Sequence, residues 1–130
     1  MIGIDTNVLL RYITRDEPKQ TRKVLALFET FTESHPGYVS AITLAELCWV
    51  LRTVYKASRA QIEQIVERLL ASRELQLEHA SVVKCAVDAY RQGKADFPDY
   101  LILLCNLVAG CTHTVTFDRT AAKAAGMKLL

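Results

Sequence analysis

The sequence has no cysteine pair at CxxC spacing, no run of one charge, no internal repeat and no low-complexity tract. Its four cysteines, Cys48, Cys85, Cys105 and Cys111, are scattered, and all but Cys111 fall within apolar helical patterns. They read as buried, reduced thiols, which points to the cytoplasm rather than to a disulfide framework. Cys111 and His113 have no second Cys/His pair beside them, so a zinc site is not expected. Basic residues number 16 and acidic residues 14, too even a balance for a protein that clamps nucleic acid by charge alone. The longest stretch without a charged residue, 100–117, contains Asn106, Gly110, Thr112, His113 and Thr114. It reads as a buried helix followed by a strand, not as a membrane span. The apolar start lacks a basic leader and is interrupted by Asp5, so no secretory signal is expected.

What the chain has is apolar residues, 51% of 130, enough for one domain with its own core, expected to span 1–130. Short apolar runs at 2–4, 38–40, 75–77, 114–117 and 127–130 read as strands. Between them lie helical patterns. A short helix follows Asp5, and a second starts at Asp16-Glu17-Pro18. Thr43 with Glu46 three residues on reads as a capping box, opening a helix that is apolar almost all round and so largely buried. Ser58 caps a fourth helix, Gly93 closes a fifth, and an apolar helix runs from Tyr100 to Ala109. A short helix passes through Lys123. Alternating strands and helices predict an α/β fold, a parallel sheet with helices on both faces.

In that fold four acids take equivalent places. Asp5 ends the first strand and is the only charged side chain among the first ten residues. Glu46 lies early in the helix after the second strand, Asp99 opens the helix before the fourth, and Asp118 ends the fourth. Asp5 and Asp118 then lie at the carboxyl edge of the sheet, where ligand crevices form. An ionised Asp5 between two apolar runs is costly to bury without a partner. Clustered carboxylates repel each other, and a hard divalent cation relieves them. Oxygen-only donors point to Mg²⁺ or Mn²⁺ and to phosphodiester hydrolysis. Thr6, Asn7 and Thr116 are placed to orient the ligands or a water. Each acid also has a plainer role: Glu46 as a capping-box residue, Asp99 and Asp118 as helix-start acids.

The stretches Ile4-Asp5-Thr6-Asn7-Val8-Leu9, Ser40 to Leu47, Asp96-Phe97-Pro98-Asp99-Tyr100-Leu101-Ile102 and Thr114 to Asp118, in that order, resemble the PIN-domain family. Within it they resemble the VapC-type toxins of type II toxin–antitoxin pairs. The resemblance covers essentially the whole chain. It implies a single three-layer α/β/α PIN-like domain on a five-stranded parallel sheet of order 3-2-1-4-5, and a Mg²⁺- or Mn²⁺-dependent endoribonuclease. Asp5, Glu46, Asp99 and Asp118 match the family's acidic, catalytic set. Asp5 and Asp99 would be the most direct metal ligands. Glu46 and Asp118 would bind a second ion, orient water or act as base. Asp96 is a second candidate for the third acid, and Thr116 matches the hydroxyl residue that supports the site. The tail departs from the family, which often carries an aromatic residue after the last acid, where this chain has Arg119 to Lys123.

The resemblance also implies an RNA substrate, a homodimer and a small antitoxin that lays an amphipathic segment near the early helices, with Leu9, Leu10, Tyr12 and Ile13 as contacts. Arg11, Arg15, Lys19, Arg22 and Lys23 are candidate phosphate contacts. The competing class is a PIN-fold RNA- or protein-binding module without catalysis. Haloacid-dehalogenase-like and receiver-type domains fit poorly, because Asn7 stands where the former need an acid and the latter's lysine has no clear counterpart.

Overall fold

The first strand, β1 (Ile2–Gly3), is only two residues long, and that brevity shapes the architecture. The computed structural model describes residues 1–130. After β1 come α1 (Thr6–Thr14), α2 (Pro18–Phe28), β2 (Gly37–Val39), α3 (Ala41–Thr53) and α4 (Arg59–Ala71). Then follow β3 (Leu75–Leu77), α5 (Ala80–Gln92), α6 (Phe97–Val108), β4 (Val115–Thr116), a π-helical turn at Ala121–Ala125 and β5 (Lys128–Leu129).

All strand pairs are parallel, as the alternation of strands and helices requires. β1, β2 and β3 form one sheet in that order, and β4 pairs only with β5. The single five-stranded sheet of order 3-2-1-4-5 is therefore not found. Both ends of that order are present, but the β1–β4 ladder that would join them is missing. The facing strands carry only two residues each, too few for a sustained run of backbone pairing. The open joint also leaves apolar side chains in water: Ile2 is 50% exposed and Val115 52%. The expectation of a buried, mid-sheet first strand is corrected accordingly, since only Ile4 of Ile2-Gly3-Ile4 is buried.

One cluster of 22 buried residues forms the core, running from Ile4 and Leu9 through Leu44, Leu47 and Ile62 to Phe97 and Leu101. Tyr90 and Phe97 meet edge to face in it at 5.9 Å between ring centroids. Of the cysteines only Cys48 is buried, and burial pushes its thiol up to about 12. Cys85 is exposed, because it falls on the outer side of α5.

The start of α3 differs from expectation. Ser40, not Thr43, is its N-cap, and the Ser40 hydroxyl accepts the Thr43 N–H at 3.1 Å. Glu78, just after β3, accepts the Ala41 N–H at 2.9 Å and the Tyr38 hydroxyl at 3.2 Å. Two of the orphan groups at this helix end are thus satisfied without Glu46, which lies in the second turn. α3 is also not buried all round. Leu44, Leu47, Cys48 and Leu51 face the core, whereas Ile42, Trp49 and Val54 are exposed.

Candidate active site

Asp5 is the N-cap of α1 in position but not in chemistry. Its backbone is extended, yet its carboxylate makes no capping hydrogen bond, so the side chain is free for another partner. It is also exposed, so the burial cost expected of it does not arise. The next residue, Thr6, is buried and donates its hydroxyl to Glu46 Oε2 at 2.5 Å. Thr43 reaches from the first turn of α3 to the Ile4 carbonyl at 3.5 Å. These two contacts fasten the β1–α1 junction to α3 and hold Glu46 against Thr6, the residue after Asp5. Glu46 is free for this because Ser40 and Glu78 cap the helix in its place. Asn7 is exposed and makes no side-chain hydrogen bond.

The second pair of acids belongs to α6 and β4. Pro98 is in the first turn of α6, where its missing N–H costs nothing, and Asp96 is the N-cap. Asp99 is therefore inside the first turn rather than at its opening. Its Oδ2 accepts the Asp96 N–H at 3.2 Å. Burial pushes the Asp99 carboxyl above its ordinary range, the Asp96 N–H works against that rise, and the charges of Asp118 and Asp96 add to it. Asp118 caps the turn after β4, accepting the Thr120 and Ala121 N–H groups through Oδ1 at 2.8 and 3.0 Å. Thr116 holds it from the other side, its hydroxyl accepting the Asp118 N–H at 3.0 Å. Asp96 is exposed and 3.8 Å from Arg52 Nε, which ties α6 to α3.

The direct links among these acids are that of Glu46 to Thr6, next to Asp5, and that of Asp99 to Asp96, with the charges of Asp118 and Asp96 acting on Asp99. No three of the His, Cys, Asp and Glu side chains stand close enough to hold a metal ion together. Asp5 follows β1 of the three-stranded sheet, and Asp118 follows β4 of the two-stranded one. The donor chemistry nevertheless suits a hard divalent cation. All candidate ligands are carboxylate oxygens, and Asp99 is crowded by the charges of Asp118 and Asp96.

One supporting residue carries no signal in the sequence. Arg59, in the first turn of α4, looks like one more solvated base. In the fold its guanidinium lies 3.9 Å over the Tyr90 ring and donates to the Tyr90, Gly93 and Ala95 carbonyls at 2.9, 3.0 and 2.8 Å. It so fastens the end of α5 and the loop that leads into Asp96. Gly93 is the expected C-cap of α5, but its φ of −101° is not left-handed. A Cβ there would stand 1.7 Å from the Tyr100 hydroxyl, so close approach is what demands glycine.

The largest cavity, about 740 Å³, lies elsewhere, lined by Tyr12, Ile13, Phe28, Phe31, Ile65 and Leu69 with Arg15 and Arg68 at its margin. Leu9 and Leu10 are core residues and take no part in it. Arg11 is engaged by Gln20, Asp16 and Tyr55. No helix is long and apolar enough to cross a membrane. A family model described as PIN domain matches residues 2–127. No curated protein matches the chain.

Proposed function

Because the chain belongs to the PIN domain family, whose members are generally metal-dependent nucleases of three-layer α/β/α fold, we propose that it is a Mg²⁺- or Mn²⁺-dependent endoribonuclease, the VapC-type toxin of a toxin–antitoxin pair. Residues 1–130 are read as one PIN-like domain. The observation that carries this reading is the Thr6–Glu46 hydrogen bond. It holds an acid that caps nothing against Thr6, whose chain neighbour Asp5 carries a carboxylate that also caps nothing.

Asp5 and Asp99 would hold the cation, which when bound supplies Lewis acidity toward a water and the phosphodiester. Glu46, oriented by Thr6, would accept a proton from the attacking water or position it. Asp118, fixed by Thr116 and by the turn it caps, would complete the acidic set, or hold a second ion, from the β4 side. Asp96, turned toward Arg52, is the weaker candidate for the third acid. Water attacks phosphorus, the P–O bond to the leaving nucleoside oxygen breaks, and the proton passes to that oxygen or to solvent.

Two surfaces support the partner assignments. The groove of Tyr12, Ile13 and Phe28 between α1, α2 and α4 suits the apolar face of an antitoxin segment, with Arg15 and Arg68 for its acids. Ile102, Leu107 and Val108, exposed on α6, suit a second copy in a homodimer. The cytoplasm is the proposed location. The lack of any three ligand side chains in one cluster is what a binding module without catalysis would also have. The deciding experiment is induced expression of wild type and Asp5→Asn, following growth and RNA integrity, together with cleavage by purified protein in Mg²⁺ or Mn²⁺. Growth arrest and cleavage from the wild type alone are expected. Equal, harmless expression of both sinks the toxin reading. No cleavage, with RNA bound equally well by both proteins, establishes the binding module instead.

A further inference from the structure

At 100° per residue, Ile42, Glu46, Trp49 and Thr53 fall within roughly 60° of one another around α3, opposite Leu44, Leu47 and Leu51. Trp49 is 60% exposed and Ile42 78%. The indole makes no aromatic or cation–π contact. Scattered exposed apolar residues are ordinary on protein surfaces. This one is different in its surroundings. It is the only tryptophan of the chain, it stands one helical turn from Glu46 on the same face, and Ile42 flanks Glu46 on the other side. Arg52 lies one turn beyond it, and the exposed Lys56 just past the helix end.

We propose that Trp49 is a base-binding residue, stacking an unpaired base of single-stranded RNA whose backbone runs past Glu46. The inference rests on the nuclease reading of the Asp5–Glu46 site. Glu46 and Trp49 are separated by about 4.5 Å along the helix axis. That is the scale of one nucleotide step in a stacked strand, about 3.4 Å. A strand whose phosphate lies at the acids thus has a base within reach of the indole. Every base has a face to stack, so the contact tolerates sequence but demands an unpaired nucleotide. The exposed Lys56 offers positive charge to the next phosphates, where the acids offer none. An RNA duplex, with its bases already stacked, gains nothing from Trp49.

Because the chain has one tryptophan, its fluorescence reports on this site alone. Metal-free wild-type protein is titrated with an unstructured RNA oligonucleotide and, separately, with a blunt RNA duplex. Binding is followed in parallel by anisotropy of labelled RNA. Quenching by the single strand and none by the duplex is expected. In cleavage assays with Mn²⁺, Trp49→Ala is expected to raise KM for the single strand about 10-fold, with the loss falling chiefly on KM and largely recovered in Trp49→Phe. Single-strand binding by anisotropy with unchanged emission, or an unaltered KM in Trp49→Ala, overturns the proposal while cleavage by the wild type leaves the nuclease reading standing. Quenching without any cleavage retains the base site and overturns the nuclease. Emission that shifts with protein concentration in step with sedimentation, without RNA, assigns Trp49 to a second copy instead and also overturns the proposal.

Discussion

The hydroxyl of Thr6 reaches from α1 to Glu46 on α3 and joins two of the proposed catalytic elements directly. Thr6→Val keeps the volume of a buried residue but removes the donor. Loss of a residue that orients a ligand or base costs about 10–100-fold in activity or metal affinity. We expect cleavage by Thr6→Val to fall in that range, with activity largely retained in Thr6→Ser. Parallel thermal melts should show both variants folded. Glu78 gives a residue-scale prediction about pH. The Ala41 N–H first, and then the Tyr38 hydroxyl and the nearby His79, hold its carboxyl below the ordinary range, against the effect of burial. A depressed carboxyl contributes stability that is present above its unfolded value and lost as pH falls through the folded one. The melting temperature should therefore drop in acid below the usual carboxylate range. Glu78→Gln should start lower at neutral pH and show a flatter acid limb, and an unchanged acid limb in that variant would refute the assignment.

At the scale of elements, the α5–α6 junction is the most closely specified piece of the site. Tyr100 follows Asp99, and its hydroxyl accepts the Ala95 N–H at 3.3 Å while filling the space a Cβ at Gly93 would need. Gly93→Ala is expected to destabilise the fold by about 1–3 kcal/mol through overpacking. Adding Tyr100→Phe should recover part of that loss, which urea denaturation of the single and double variants would read as coupling. Arg59 holds the same junction through its carbonyl contacts. Arg59→Ala should cost about 1.5–3 kcal/mol for hydrogen bonds to a charged group. Arg59→Lys should recover little, because an ammonium cannot reproduce the planar fork or its stacking on Tyr90.

For the whole molecule the missing β1–β4 ladder is the governing feature. The core cluster is drawn from Ile4 to Leu101, and the buried Ala121 and Met127 lie outside it. Opening β4 and β5 therefore sacrifices little of the main core. Amide hydrogen exchange should show residues 113–130 opening at a lower free energy than β2, β3, α3 and α5. Equal protection throughout would mean that the two sheets open together. Divalent cation should slow exchange selectively near Asp99 and Asp118 if those acids close on Asp5 and Glu46 around it.

The sequence by itself determined the alternation of strands and helices, the parallel pairing, the Ser58 cap, the end of α5 at Gly93 and the candidacy of all four acids. Those features rest on local chemistry: hydrophobic period, capping hydroxyls and charges set among apolar runs. What it could not carry was anything that depends on which surfaces meet. Glu46 has capping-box spacing from Thr43, yet Ser40 and Glu78 take that duty, and Glu78 comes from a strand far along the chain. Trp49 has core composition, yet the side of α3 that carries it finds no neighbour. Arg59 has the look of a solvated base, yet it is fixed on four backbone carbonyls of a distant loop. The joint between β1 and β4 was likewise decided in three dimensions, because strands of two residues hold too little pairing to close a sheet unaided. The number of acids near one another is a fact of tertiary structure: their positions along the chain place them at strand and helix ends, and only the meeting of two sheets decides how near those ends come.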